Sequence, residues 1–321
     1  MQVVFAPRAS AILYSLLEGL LDRRPWLLPA NICPIVPITF LKAGIGFEFV
    51  DISLETLHLD LRRAEMLVNS QQGRYGGILF AHTYGDPSTP SDFFKAIKNV
   101  DRRMRIIDDR CLCIPDLSWD PVSPADITLY STGYGKIVDL GFGGYAFLNE
   151  EVRYEASHLT FKKSDYRILE RNYKEAVRRR DRFIYVNNDW LETDTGLPLW
   201  SDYCRSIEDG LKVSLAQRCA LNEAYRASLP PEIQLPSAYQ TWRFNVRLKE
   251  KQRTLKAIFD AGLFASSHYA SLAGIMNEGQ CPVAEELERQ VLNLFNDHHF
   301  SLEQAKRTST IILENLVTSE R

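Results

Sequence analysis

The first half of the chain alternates short apolar runs with amphipathic stretches, and this alternation constrains the fold more than any other feature. Candidate strands are Trp26–Leu28, Phe47–Val50, Gly77–His82, Met104–Asp108, Ile127–Ser131 and Gly144–Leu148. Helical patterns fall between several of them, at Ser10–Leu21, Pro34–Ala43, Leu59–Val68 and Pro90–Asn99. Strand, helix, strand at this spacing predicts a mostly parallel sheet covered by helices on both faces. Such sheets collect ligands at the carboxyl ends of their strands. Chemistry is therefore sought there.

The second half has a different character. Arg153–Arg182 is polar and carries a basic run, Arg178–Arg180, which reads as a solvated helix face, with a phosphate-binding patch as the alternative. Asn187–Leu199 has no clear period and is expected to be loop. Tyr203–Tyr225 reads as a long helix stopped by Leu229-Pro230-Pro231. Beyond it come a strand near Trp242–Leu248 and helices at Lys249–Ala261, Val283–Arg289 and Leu302–Leu316. We expect a large α/β domain over residues 1–200 and a small α+β domain over 201–321.

Composition excludes several function classes. With 38 basic and 41 acidic residues the formal charge is −3, so nothing asks for nucleic acid or an acidic membrane surface as partner. No run reaches the ~18 apolar residues of a membrane span. Arg8 and Glu18 interrupt the apolar N-terminal stretch, which reads as part of the fold and not as a signal peptide. The 6 cysteines are scattered, as free thiols in a reducing compartment are, and a cytoplasmic location is the expectation. Cys111 and Cys113 are too close for a usual zinc pair, and His298-His299 read as loop residues. No metal site is expected.

Three strand ends stand out. The strand Met104–Asp108 runs into Asp109. The strand Ile127–Ser131 leads into Thr132-Gly133-Tyr134-Gly135-Lys136, and Gly141-Phe142-Gly143-Gly144 follows shortly after. An acid at one strand end, with a serine five residues before a lysine at its neighbour, is an unusual combination. Glycines around the lysine let backbone approach a bound group closely.

These residues carry a resemblance. The chain resembles the DegT/DnrJ/StrS sugar aminotransferases, pyridoxal-phosphate enzymes of fold type I that aminate keto-sugars on nucleotide carriers. Pro29-Ala30-Asn31 through Gly44 to Phe49-Val50-Asp51 is similar to the family's "vP" to "G-x-x-x-x-F-V-D" stretch. His82-Thr83-Tyr84-Gly85-Asp86-Pro87 resembles "H-x-y-G-x-p", Ile106-Ile107-Asp108-Asp109 resembles "V-I-E-D", and Ser131 to Lys136 resembles "S-x-x-x-x-K". Ser267-His268-Tyr269 and Cys281-Pro282-Val283-Ala284-Glu285, ahead of Val291–Leu294, look like its C-terminal domain. The likeness covers most of the chain.

The resemblance implies a central, mostly parallel sheet sandwiched by helices, with a smaller C-terminal α+β domain. It implies pyridoxal 5'-phosphate as cofactor, held as a Schiff base by Lys136, which then serves as general acid–base. Asp109 is expected to face the pyridine nitrogen and keep its proton. Ser131 is expected to donate to the phosphate, whose main seat is the start of the first helix near Ala9 and Ser10. The implied reaction moves an amino group from an amino acid, glutamate foremost, to a keto-sugar on a nucleotide, in a homodimer. The alternatives are another pyridoxal-phosphate reaction, or a binding protein without turnover. His82 reads equally as a core histidine or a pocket residue, and Ser267-His268-Tyr269 as a substrate contact or a plain strand end. The chain departs from the family at three places: Leu112 follows the acid where Gln or His is usual, Cys33 stands for the stacking aromatic, and Phe142 for a glutamate. The "G-x-N-y-R" segment is missing; the stretch Thr195–Tyr203 has neither its Asn nor its Arg.

Overall fold

A computed structural model describes residues 2–118, 124–194 and 196–317. Its frame is a 7-stranded sheet made of β1 (Gln2–Ala6), β2 (Trp26–Pro29), β3 (Phe47–Val50), β4 (Gly77–Ala81), β5 (Arg105–Asp109), β6 (Ile127–Ser131) and β7 (Gly144–Leu148). The order is β1-β7-β6-β5-β4-β2-β3. Strand β7 runs antiparallel to both neighbours and the other pairings are parallel. The expected fold class is the one observed.

Alternation along the strands builds two cores. Leu79, Ile107 and Leu129 face α1 (Ala9–Glu18) and α2 (Ile35–Ala43), with Leu169 and Ala176 of α5 (Lys163–Arg179) in the same cluster. Ile78, Phe80 and Ile106 face the opposite way, onto α3 (Leu61–Ser70) and α4 (Ser91–Val100). Asp108 shares the parity of Ile106, and Asp109 and Ser131 share that of Ile107 and Leu129. The two neighbouring acids therefore point to opposite sides of the sheet.

Three expectations are corrected. Strand β1 was not foreseen, although Val3-Val4-Phe5 is a β-forming run; it pairs with β7 along its whole length. Strand β5 extends to Asp109, which is paired with Ala81 and Leu129. Strand β4 ends at Ala81, and His82 leaves it for a single helical turn, Thr83–Gly85.

The second half adds a 3-stranded antiparallel sheet, β8 (Phe244–Arg247), β9 (Ala265–Ser266) and β10 (Val291–Leu294), in the order β8-β10-β9. Helices α7 (Lys251–Asp260), α8 (Pro282–Gln290) and α9 (Leu302–Val317) accompany it. Helix α6 (Trp200–Ser228) serves both halves. Its Tyr203 and Ile207 pack with Tyr130 and Tyr145 of the large sheet. Its Leu221 and Tyr225 pack with Phe244 and Leu292 of the small one.

Candidate active site

The carboxyl ends of β5 and β6 separate the acids by function. Asp108 is fully buried and accepts hydrogen bonds from His82 Nε2 at 2.7 Å and Arg110 Nε at 2.7 Å. His82 Nδ1 donates to the Asp86 carbonyl at 2.6 Å, so both ring nitrogens face acceptors and the imidazole is a cation. Burial opposes that charge, but the bond to Asp108 overrides it and raises the His82 pKa to about 10. Asp108 is held below the usual carboxylate range: burial works against this, and His82 and Arg110 outweigh it. The network is structural, and His82 belongs to the core.

Asp109 has different surroundings. It is 7% exposed, its Oδ1 accepts the Cys111 amide at 3.0 Å, and its carboxylate faces the Cys111 thiol; no cation among the described residues pairs with it. Lys136 lies half-buried in the turn after β6, and its Nζ has no hydrogen bond or ion pair among the described residues. The two charges act on the same thiols. Burial raises the Cys33 and Cys111 pKa values, Lys136 counteracts both, and Asp109 adds to both. Both thiols are therefore protonated at neutral pH, and Lys136 and Asp109 each lie within electrostatic reach of Cys33 and Cys111.

The small sheet's half supplies the opposite wall. His268 is exposed to solvent, yet the protein around it, then Arg243 and Lys136, lower its pKa to about 4. It is a neutral imidazole on a cleft wall. Tyr84 donates its hydroxyl to the His268 carbonyl at 2.9 Å and stacks on Trp242 at 6.4 Å; Tyr269 stacks on the same indole at 6.1 Å. Burial, then Cys33 and Asp109, push the Tyr269 hydroxyl pKa up.

The lysine turn is held from outside. Three successive carbonyls accept hydrogen bonds from the second half of the chain. Trp242 Nε1 donates to Gly135 at 2.7 Å, Arg218 Nη2 to Lys136 at 3.0 Å, and the Ser214 hydroxyl to Ile137. Arg218 is 2% exposed and also donates to the Trp242 carbonyl and Asn296 Oδ1, both at 2.6 Å. Asp139 braces the same turn, accepting from the Gly135 and Gly141 amides at 2.8 and 2.9 Å. Sequence reasoning missed Trp242 and Arg218; no local pattern marks side chains that act across the chain.

Ser131 closes β6 beside the start of α1. Its cross-strand partner is Gly144, where a Cβ would stand 2.4 Å from the Ala9 nitrogen, so only glycine lets the strand approach the helix this closely. A helix's first turn carries N–H groups without intrahelical acceptors. Here they belong to Ala9 and Ser10, and no side chain caps them. A polar anion fits this corner. The basic run is elsewhere: Arg178 and Arg179 pair with Glu175 at 2.7 and 2.5 Å, and Arg180 with Glu288 at 2.9 Å, as a solvated face does. Leu112 and Phe142 serve packing, Leu112 with Tyr84 and Trp242, and Phe142 against Tyr203. His298 and His299 could approach a cation together with Asp297, but the Asp297 carboxylate already holds Arg243 at 2.6 Å.

No family model matches the sequence, and no curated protein does either. Solved structures do. A DegT DnrJ EryC1 StrS aminotransferase from Brucella abortus superimposes with TM-score 0.68 at 15% identity, over 98% of this chain and 86% of its own. The chain has the fold of these aminotransferases. A putative sugar aminotransferase from Streptococcus pneumoniae, in its PMP form, gives 0.70 at 15%, over 100% and 88%. PseC from Helicobacter pylori, an aminotransferase of pseudoaminic acid biosynthesis, gives 0.70 at 13%, over 98% and 86%.

Proposed function

We propose that this chain is a pyridoxal-phosphate-dependent aminotransferase. It transfers the amino group of an amino acid, glutamate foremost, to a keto-sugar carried on a nucleotide, and it works as a homodimer. The observation that carries the reading is a lysine and a carboxylate that both act on Cys33 and Cys111 and have no ion-pair partner among the described residues, while the adjacent Asp108 is fully committed to His82 and Arg110. The fold shared with solved sugar aminotransferases supports it.

The residues present fit the cofactor. Gly133 leaves open the space beside Ser131 Oγ, the uncapped first turn of α1 favours an anion, and Asp109 lacks a cationic partner. Pyridoxal phosphate, when bound, supplies a ring that accepts the electron pair left behind as a substrate carbon loses its proton. Asp109 holds the proton on the ring nitrogen. Lys136 would anchor the cofactor and then, as a free amine, would carry the proton between the substrate carbon and the cofactor's C4′ carbon. Ser131 and the amides of Ala9 and Ser10 bind the phosphate. Neutral His268, within electrostatic reach of Lys136, and Tyr269, within reach of Asp109, would contact the substrate.

The experiment has two steps. Purified protein is expected to be yellow, and glutamate to bleach the band. Borohydride reduction followed by peptide mapping is expected to place the adduct on Lys136. Colour without bleaching favours a binding protein without turnover. An adduct elsewhere, with Lys136→Ala still yellow, overturns the assignment.

A further inference from the structure

We propose that Arg8 binds the cofactor phosphate from within the same chain, as its principal cationic ligand. The inference rests on the pyridoxal-phosphate reading above. A phosphate monoester carries between one and two negative charges at neutral pH, whereas a helix N-terminus offers the equivalent of only about half a positive one. Ser131 and the α1 amides therefore leave most of the charge unbalanced, and a nearby cation is required. Each arginine of the run Arg178–Arg180 is already paired, two with Glu175 and one with Glu288.

Arg8 immediately precedes α1, in an extended conformation bridged to Gly143. This places its side chain at the same corner as Ser131 and Ala9. Nη1 donates to the Gly141 carbonyl at 2.8 Å, Nε donates to Glu192 at 3.0 Å, and the guanidinium lies 5.4 Å from the centre of the Tyr134 ring. These contacts fix its plane. The position a Cβ on Gly133 would take is 3.5 Å from Ser131 Oγ and 3.8 Å from Arg8 Nη1. The hydroxyl and the guanidinium thus flank one space that Gly133 leaves unfilled. Among the described residues Arg8 Nη2 has no hydrogen-bond acceptor. A planar guanidinium with an unused donor edge, beside a hydroxyl and uncapped amides, suits phosphate oxygens.

The test compares two ligands that differ only in the phosphate. Apoprotein is titrated with pyridoxal phosphate and with pyridoxal, with absorbance reporting binding. Arg8→Gln is expected to weaken pyridoxal phosphate by about tenfold to a hundredfold, the scale of one charge-assisted contact, and to leave pyridoxal unchanged. Arg8→Lys should recover part of the loss. Inorganic phosphate should compete with pyridoxal phosphate for wild-type apoprotein and much more weakly for Arg8→Gln. Glu192→Gln, which breaks the ion pair but keeps the cation, should retain the wild-type preference for the phosphorylated ligand.

Equal loss of both ligands in Arg8→Gln, or the same loss in Glu192→Gln, overturns the inference, because Arg8 then serves the local fold. An unchanged affinity in Arg8→Gln overturns it as well. Wild-type protein that takes up neither ligand overturns the cofactor reading itself, an outcome distinct from the other three.

Discussion

Asp108 and Asp109 are adjacent in sequence, and the pleat of β5 sends them to opposite faces. The sequence points to Asp109 through its place at a strand end and through the resemblance. What Asp108 does was not legible, because His82 and Arg110 reach it from other elements. Asp108→Asn leaves a buried imidazolium and guanidinium short of a counter-charge and should cost about 3–5 kcal/mol of stability. Asp109→Asn should cost little stability but slow the glutamate half-reaction by about two orders of magnitude or more, since charge at the ring nitrogen matters most in the transition state. Chemical denaturation and stopped-flow absorbance measure the two effects, and the reverse ranking would place the register of β5 one residue off. His82 adds a pH dependence. Its pKa rises on folding from 6.5 to about 10, so its contribution is fully present below 6.5 and is lost as pH climbs towards 10. The unfolding midpoint should decline across that interval, and less steeply in His82→Gln.

At the scale of elements, hydrophobic periodicity located six strands of the large sheet and its covering helices, with ends shifted by one to three residues. It did not locate β1, the short β9 or β10, and it overextended β8 to Trp242–Leu248 where only Phe244–Arg247 pairs. Trp242 lies just outside that strand, and its indole N–H holds the Gly135 carbonyl at 2.7 Å. Together with Arg218 and Ser214 it fixes the turn that presents Lys136. The small sheet's half therefore sets where the lysine sits relative to the large sheet. Trp242→Phe removes one donor while keeping the stacked ring, so stability should fall by about 1 kcal/mol. Attachment of pyridoxal phosphate to apoprotein should slow severalfold, because the lysine must find its geometry unaided. Attachment at the wild-type rate would show that the bond to Gly135 does not position Lys136.

For the whole molecule, the alternation of the first half is enough to expect a covered, mostly parallel sheet, and that is the fold found. How the halves meet was not legible, because the contacts join residues far apart, as Tyr84 to His268 and Lys136 to Arg218 do. The same holds for the surface on which two copies meet. Tyr134 in the lysine turn is 76% exposed and Val213 on α6 is 70% exposed, while Leu199, about 21 Å further along the helix axis at the start of α6, is 73% exposed. Val213 adjoins Ser214, which holds the Ile137 carbonyl, and a Cβ on Gly210 would stand 2.9 Å from Val138. The middle of α6 therefore backs directly onto the turn, and exposed apolar side chains spaced along one helix suit a protein partner that lies along it. A second copy docking there fits the proposed homodimer and brings its interface next to the cofactor. Sedimentation velocity should give a dimer for the wild type and a monomer for a Leu199→Glu/Val213→Glu double variant. That monomer should still bind pyridoxal phosphate, because Arg8 supplies the phosphate's cation within one chain. A double variant that remains dimeric would move the interface to another face. A monomer that has lost the phosphorylated ligand but keeps pyridoxal would instead assign the cation to the partner subunit.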